Sequence, residues 1–199
     1  ETDTQEIQKS TNSDVDFNSF TYIVNSDKKH VNITNINDIS EPLINDSVRR
    51  PFDKFNIEQF EKVTGGFRID FQDDLDEYYT VNFQSDQNAI PYIGVSVEKN
   101  KTAKLYLNLN GSVKGNVYPI IELSLKENSN LEIIISVTSQ EDVNIANSIY
   151  AKVLKDANLK IHTISMGGEL SRSRIDIDLI GDGSGSVSYT HLRAHETFA

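Results

Sequence analysis

A repeat of 26 to 28 residues constrains the fold of this chain more than any other feature. Four small residues, Ala103, Ser129, Ala157 and Ser184, follow one another at intervals of 26, 28 and 27 positions. The first three each lie between two runs in which apolar and polar residues alternate. Alternation with a period of two is typical of half-buried β-strands. The sequence therefore predicts strands in repeating units rather than an ordinary mixed domain.

The length of the unit selects among the repeat architectures. Helical repeats would show a 3.6-residue period, and propeller blades need roughly 40 residues or more. These units instead alternate, and they are rich in residues that favour strands. Coils that stack about 4.8 Å apart through parallel ladders fit this length, and several must stack because one coil alone cannot bury its apolar face. We therefore predict an all-β fold, a β-solenoid of about four to five coils.

The solenoid is predicted to occupy residues 66–187. Its first unit is weak and consists of residues 66–71 and 78–83, which lie on either side of the acidic turn DDLDE. In residues 144–154 the apolar spacing also fits a helix, but neighbouring coils require a strand at this point. We therefore predict a strand there, with an inward face made of Ile149, Ala151 and Val153.

Residues 1–65 are predicted to be a polar, mostly irregular segment. One strand is expected in residues 17–25, whereas residues 31–55 are rich in Asn and Asp and indicate irregular structure with at most short helices. A short helix is predicted in residues 56–66, with Asn56 as its N-cap and a glycine as its terminator. Its predicted buried face consists of Ile57, Phe60 and Val63. We expect this helix to cap the open end of the first coil.

The last twelve residues, SYTHLRAHETFA (188–199), differ from everything before them. The apolar alternation stops, and two of the four histidines of the chain appear. The string resembles translated sequencing-adapter sequence, which implies a non-native tail and a fragment whose authentic sequence continued beyond residue 187. The residues of this tail that look like a ligand or general-base cluster are therefore set aside: His191, Arg193, His195 and Glu196.

Composition argues against several classes of partner. The net charge is −11 at pH 7, whereas nucleic acids and anionic membranes bind basic patches. No run approaches the roughly 20 apolar residues of a membrane span. The chain has no cysteine, so it has no disulfide and no thiolate metal site, which is compatible with a reducing, cytoplasmic compartment. We expect binding to neither nucleic acid nor membrane.

No catalytic, cofactor-binding or metal-binding residue is predicted. His30 and His162 have no His, Cys or Asp at ligand spacing. Residues 181–186, GDGSGS, lack the Gly-Lys-Ser/Thr ending of a phosphate loop, so we attribute their glycines to a turn that needs positive φ. Asp176 and Asp178 alternate with apolar residues, which places them on an outward strand face. These patterns favour a protein that is not an enzyme.

The most specific pattern lies in residues 164–187, ISMGGELSRSRIDIDLIGDGSGSV. A Gly-Gly pair leaves one strand, two arginines follow, and an Arg-Ile-x-Ile-x-Leu strand runs into a Gly-rich turn. This segment resembles the core domain of the SufB/SufD family, scaffold subunits of an iron–sulfur cluster assembly machine, and the resemblance covers about residues 85–187. The matching positions are Gly167, Gly168, Arg174, Leu179, Gly181 and Gly183, and Arg172 lies among them.

The resemblance implies a right-handed parallel β-helix and a non-catalytic scaffold subunit. It also implies two partners, a SufB-type paralogue and a SufC-type ATPase, with an iron–sulfur cluster that forms in the full complex and no cofactor bound by this fragment. The family's cluster-linked cysteine and histidine and its ATPase-docking region lie in a C-terminal half that this sequence does not contain. The absence of cysteine from the core favours a SufD-like member. Arg172 and Arg174 are expected to pair with acidic groups on adjacent coils.

Two other functions stay open on the sequence alone. A structural or surface β-solenoid would self-associate through its coil ends. A β-helix carbohydrate-active enzyme would need carboxylates stacked on successive coils, but outward Asp and Glu residues do not recur here at the coil period.

Overall fold

The computed structural model describes most of the chain from residue 54 onward and short pieces before it. The described residues are 21–24, 31–36, 43, 54–63, 65–85, 88–111, 116–139, 143–168 and 170–193. They contain one helix, α1 (Lys54–Glu61), and the following strands: β1 (Thr21–Val24), β2 (Val31–Ile36), β3 (Gly65–Phe71), β4 (Tyr78–Ser85), β5 (Pro91–Val97), β6 (Thr102–Gly111), β7 (Ile120–Leu125), β8 (Asn130–Ser139), β9 (Asn144–Val153), β10 (Asn158–Met166), β11 (Leu170–Leu179) and β12 (Gly185–Arg193).

The strands form two six-stranded sheets around one apolar core. Sheet A has the order β1-β4-β6-β8-β10-β12, and sheet B has the order β2-β3-β5-β7-β9-β11. From β3 onward each turn of the chain adds one strand to each sheet, and each strand pairs in parallel with the strand one turn away. The result is a parallel β-solenoid of about four turns, which confirms the predicted fold class.

Two antiparallel strands close the N-terminal end of the solenoid. β1 pairs with β4, and β2 pairs with β3. The strand predicted in residues 17–25 is confirmed for Thr21–Val24, and the rest of that range lies outside the described residues. The irregular structure predicted for residues 31–55 is wrong for Val31–Ile36, because the edge of β3 offers backbone partners that a propensity argument does not contain.

The pairing register of the strands corrects the predicted marker of the repeat. Ala103 pairs with Leu131 rather than marking the same position as Ser129, so the small residues are not all equivalent. The recurring feature is instead a residue with positive φ in each turn from sheet B to sheet A after β5, β7, β9 and β11: Asn100 (62°), Asn128 (56°), Asp156 (56°) and Gly183 (72°). Asn, Asp and Gly are the residues that adopt this conformation most readily. The turn, rather than a small side chain, therefore defines the coil period.

The core consists of columns of inward side chains that rest on one another from coil to coil. Leu105, Ile133 and Ile161 form one such column, and all three are fully buried. The strand predicted in residues 144–154 is confirmed as β9, with Ile149, Ala151 and Val153 inward. The alternation is weak there because both faces of β9 are buried, one by the core and the other by α1.

Helix α1 lies on the outer face of sheet B and does not cap a coil. Its buried side chains include Phe55 and Gln59, whereas Ile57 is 46% exposed. The predicted face was therefore wrong at Ile57, and Asn56 lies inside the helix rather than at its N-cap. Phe60 and Val63 do pack against sheet B as predicted, but the fully buried side chains are Phe55 and Gln59, which the prediction did not include.

Asparagine ladders run along the outside of the coils. The side-chain amide of Asn108 donates to Asn82 (2.9 Å), that of Asn128 to Asn100 (3.0 Å), and that of Asn158 to Asn130 (3.2 Å). Each bond joins residues at equivalent positions in adjacent coils. A shift of one residue would break these bonds and would also turn the apolar columns outward.

Two adjacent isoleucines on β8, Ile133 and Ile134, test which face of the strand points into the core. Ile133 is fully buried in the core, whereas Ile134 is half-buried and faces outward. We expect Ile133→Ala to lower the free energy of unfolding by about 2–5 kcal/mol, because it leaves a cavity, and Ile134→Ala to lower it by under about 1 kcal/mol. Urea unfolding of both variants measures the difference, and equal losses would contradict the assignment of the faces.

Candidate functional site

The motif glycines lie in the two turns that flank β11. Gly167 (φ 81°) and Gly168 (φ 87°) carry the chain from β10 in sheet A to β11 in sheet B. Gly181 (φ 99°) and Gly183 (φ 72°) form the turn into β12. A Cβ at Gly183 would overlap Oδ1 of Asp156. Positive φ is a conformation that side chains rarely adopt, so the backbone itself supplies a reason for glycine at all four positions.

The two motif arginines lie on the outer face of sheet B. The guanidinium of Arg172 lies over the ring of Phe55, 5.5 Å from its centroid, and so connects β11 to α1. The Nε of Arg174 donates to Oδ2 of Asp176 at 2.8 Å, within the same strand. Asp176 pairs with Tyr150 on β9, at a position that faces outward. The expected pairing of the arginines with acids on adjacent coils stays a prediction.

Gln59 anchors α1 to two neighbouring coils. Its Nε2 donates to the backbone oxygens of Tyr118 (2.8 Å) and Pro119 (3.1 Å), and its Oε1 accepts from the hydroxyl of Ser148 (2.7 Å). The side chain is fully buried, and Phe55 packs edge-on against Tyr118 beside it. No signal in the sequence marked Gln59, because a glutamine in a polar segment normally predicts an exposed position.

A second buried polar contact lies under the N-terminal segment. The hydroxyl of Tyr92 donates to Oε2 of Glu122 at 2.6 Å and accepts from the backbone N–H of Leu43 at 2.9 Å. Burial, and then the neighbouring carboxylate, raise the pKa of Tyr92 above its ordinary value, so the phenol stays a donor at neutral pH. Perturbed groups often mark functional sites, but these hydrogen bonds also hold residue 43 on sheet B.

The outer face of sheet A carries a charged column. Nζ of Lys160 lies 3.1 Å from Oε1 of Glu132, and Nε2 of His162 lies 3.6 Å from the same oxygen. The bond from Lys160 lowers the pKa of Glu132, but partly exposed pairs of this kind contribute little to stability. A groove of about 460 Å³ runs beside this column between Lys104 and Tyr189. Among the described residues no group of three or more His, Cys, Asp or Glu is arranged to bind a metal ion.

The side of the solenoid away from β1 and β2 is an open end, formed by β11 and β12. Neither strand has a further partner among the described residues. Side chains of β11 are only partly buried along its length, and Leu179 and Ile180 are 47% and 37% exposed. An unpaired strand edge with apolar side chains is a surface on which another strand can pair. Among the described residues, the open end is therefore the strongest candidate for pairing with a further strand.

Strand β12 differs from the strands on which it stacks. It continues in parallel register with β10 as far as Arg193. Its alternation of polar and apolar residues is shifted by one position. Ser186 and Ser188 occupy the inward positions beside β10, whereas Val187 and Tyr189 are 49% and 47% exposed. A change of phase by one residue exchanges the two faces of a strand. The division of the chain at residue 187 stays a prediction.

The geometry defines a class of protein: a parallel β-solenoid with antiparallel strands at its N-terminal end and, among the described residues, unpaired edges at β11 and β12. The model of one protein family, described as SUF system FeS cluster assembly, SufBD core domain, matches residues 79–197. The chain therefore belongs to the SufB/SufD family, and its role lies in iron–sulfur cluster assembly. Comparisons with curated proteins and with solved structures find no match. No helix in the described part of the chain is long and apolar enough to cross a membrane.

Replacement of Gln59 tests how α1 is held. We expect Gln59→Ala to lower the free energy of unfolding by about 1–3 kcal/mol, because it leaves the buried Ser148 hydroxyl without this acceptor. Glu61→Ala, at an exposed position of the same helix, is the matched control and should change stability by under about 0.5 kcal/mol. Urea unfolding and amide hydrogen exchange of α1 measure both effects. An unchanged exchange rate in Gln59→Ala would show that Gln59 does not hold the helix.

Replacement of Gly181 tests the motif turn. A Cβ at Gly181 would lie 3.0 Å from the Cβ of Lys155, and φ is positive; we therefore expect Gly181→Ala to cost about 1–3 kcal/mol. Gly94 is the control, because a Cβ there meets only ordinary contacts of 3.4 Å or more. Thermal unfolding of the two alanine variants gives the comparison, and equal melting temperatures would contradict a backbone requirement at Gly181.

Proposed function

We propose that this chain is a SufD-like, non-catalytic scaffold subunit of an iron–sulfur cluster assembly complex. Membership of the SufB/SufD family supports the assembly role. The sequence contains no cysteine, so this chain offers no thiolate to an iron–sulfur cluster, which supports a SufD-like rather than a SufB-like part in the complex. The proposed compartment is the cytoplasm, in keeping with the cysteine-free composition.

The family match is the observation that carries this proposal, and the open end offers a geometry through which a partner can pair. β11 and β12 are unpaired on the side away from β9 and β10, and each stands on a stack of parallel ladders that fixes its position. A partner that brings an edge strand of its own extends both sheets through backbone hydrogen bonds, and side chains such as Leu179 add apolar contact. A scaffold needs such a rigid edge because it must hold two subunits in one geometry.

The proposed partners are a SufB-type paralogue and a SufC-type ATPase. The paralogue, which has the same solenoid core, supplies the strand edge that the open end pairs with. The ATPase binds elsewhere in the assembled complex. The iron–sulfur cluster is the cargo of this complex, and it forms where the subunits meet.

Co-expression of the chain with the two partners tests the proposal. We expect a stable hetero-complex of discrete mass by size-exclusion chromatography with light scattering. Leu179→Lys should weaken the complex about tenfold or more, because it places a charge in the apolar contact. Met166→Lys is the matched control: Met166 is similarly exposed at 43%, but it lies on β10, which has neighbours on both sides. Circular dichroism confirms that both variants fold.

Two outcomes would contradict the proposal. If the chain forms a complex with neither partner, the scaffold role is contradicted. If both lysine variants weaken the complex equally, the open end is not the site. The same exposed end also favours a second candidate function, a structural solenoid that self-associates end to end. Growth of mass with concentration in the chain alone, without a discrete hetero-complex, would support that candidate instead.

A further inference from the structure

The interior of the solenoid changes from apolar to polar at one edge, where β10 ends and β11 begins. Three columns of inward positions change at this edge, and a fourth is polar in both of its coils. In sheet A they run from Leu107 through Ile135 to Thr163 and from Leu109 through Val137 to Ser165. In sheet B they run from Val117 through Ile145 to Ser171 and from Asn147 to Ser173. We name the group formed by Asn147, Thr163, Ser165, Ser171 and Ser173 the polar end of the core.

Three of the five residues of the polar end of the core are buried, and the hydroxyl oxygens of the half-buried Ser171 and Ser173 are buried as well. Thr163 is 0% exposed, Asn147 1% and Ser165 3%. The side-chain oxygens of these residues, the amide nitrogen of Asn147, and the hydroxyls of Ser171 and Ser173 have no hydrogen-bond partner among the described residues. Polar atoms that are buried in folded proteins are nearly always hydrogen-bonded, to protein or to ordered water. Each of these five residues therefore needs a partner that the described residues do not supply.

The size of these side chains makes room for such a partner. Threonine replaces isoleucine between Ile135 and Thr163, and serine replaces isoleucine between Ile145 and Ser171, so each of these two steps removes carbon atoms. Water occupies about 30 Å³ in the liquid and needs two to four polar partners at a buried site. None of the five side chains carries a charge, so the group suits a neutral ligand that both donates and accepts.

We propose that the polar end of the core binds a cluster of ordered water molecules that hydrogen-bonds β9, β10 and β11 to one another. The waters accept from the hydroxyls and from the amide nitrogen of Asn147, and they donate to its amide oxygen and to the hydroxyl oxygens. They replace apolar packing at the edge where Gly167 and Gly168 turn the chain between the sheets. This site is independent of the proposed scaffold function, and all five of its residues precede residue 187.

Water-oxygen magnetic relaxation dispersion on the full chain tests the proposal directly. We expect the wild type to hold long-lived internal waters and Thr163→Val to hold fewer. Ile135→Val is the matched control, because it changes the same column one coil earlier without touching a polar group, and it should keep the wild-type number. Absence of long-lived waters from the wild type, or an equal number in Thr163→Val, would overturn the proposal.

Stability supplies a second readout. If the hydroxyl of Thr163 were dry and unpartnered, its replacement by valine, which has the same shape, would remove the free-energy cost of burying that hydroxyl. The urea midpoint would then rise. A hydrated hydroxyl predicts a midpoint that is unchanged or lower, because the water loses a partner. A raised midpoint would therefore count against the waters. Should Thr163→Val fail to fold, Ser173→Ala makes the same comparison on the facing sheet.

Discussion

The backbone ladder between successive coils is the interaction on which the rest of this structure depends. Each strand from β5 to β10 has a parallel neighbour on both sides, so every inward side chain rests on its equivalent one coil away. The columns of the core, the asparagine ladders and the continuous outer face that receives α1 all follow from that register. The open end follows as well, because β11 and β12 are the strands at which the pairing stops.

The alternation of apolar residues was sufficient to predict most of the solenoid. It predicted β3 to β8 and β10, although β5 and β7 are buried on both faces. At β9 the alternation was ambiguous, since Ala146 and Tyr150 are buried under α1. A strand was predicted there correctly, because the strands of the adjacent coils need a partner at this position. The family was recognisable from the glycines and arginines around β11. The glycines lie in turns that need conformations that few other residues adopt.

The missed features are those that depend on a distant partner. The register was misplaced at Ala103 because small residues were taken as the marker, whereas the turns are marked by positive φ at Asn100 and Asn128. β2 was missed because only the edge of β3 makes that segment a strand. The contacts of Gln59, and the pairing of Tyr92 with Glu122, were invisible since their partners lie 30 to 89 positions away in the chain.

The anchoring of α1 also imposes an order on folding. Gln59 contacts Tyr118 and Ser148, which lie 59 and 89 residues later in the chain. The helix is synthesised before any coil of the solenoid, yet its binding surface exists only once β7 and β9 have stacked. An isolated helix of eight residues is not stable in water. A docked α1 therefore reports that at least these coils are complete.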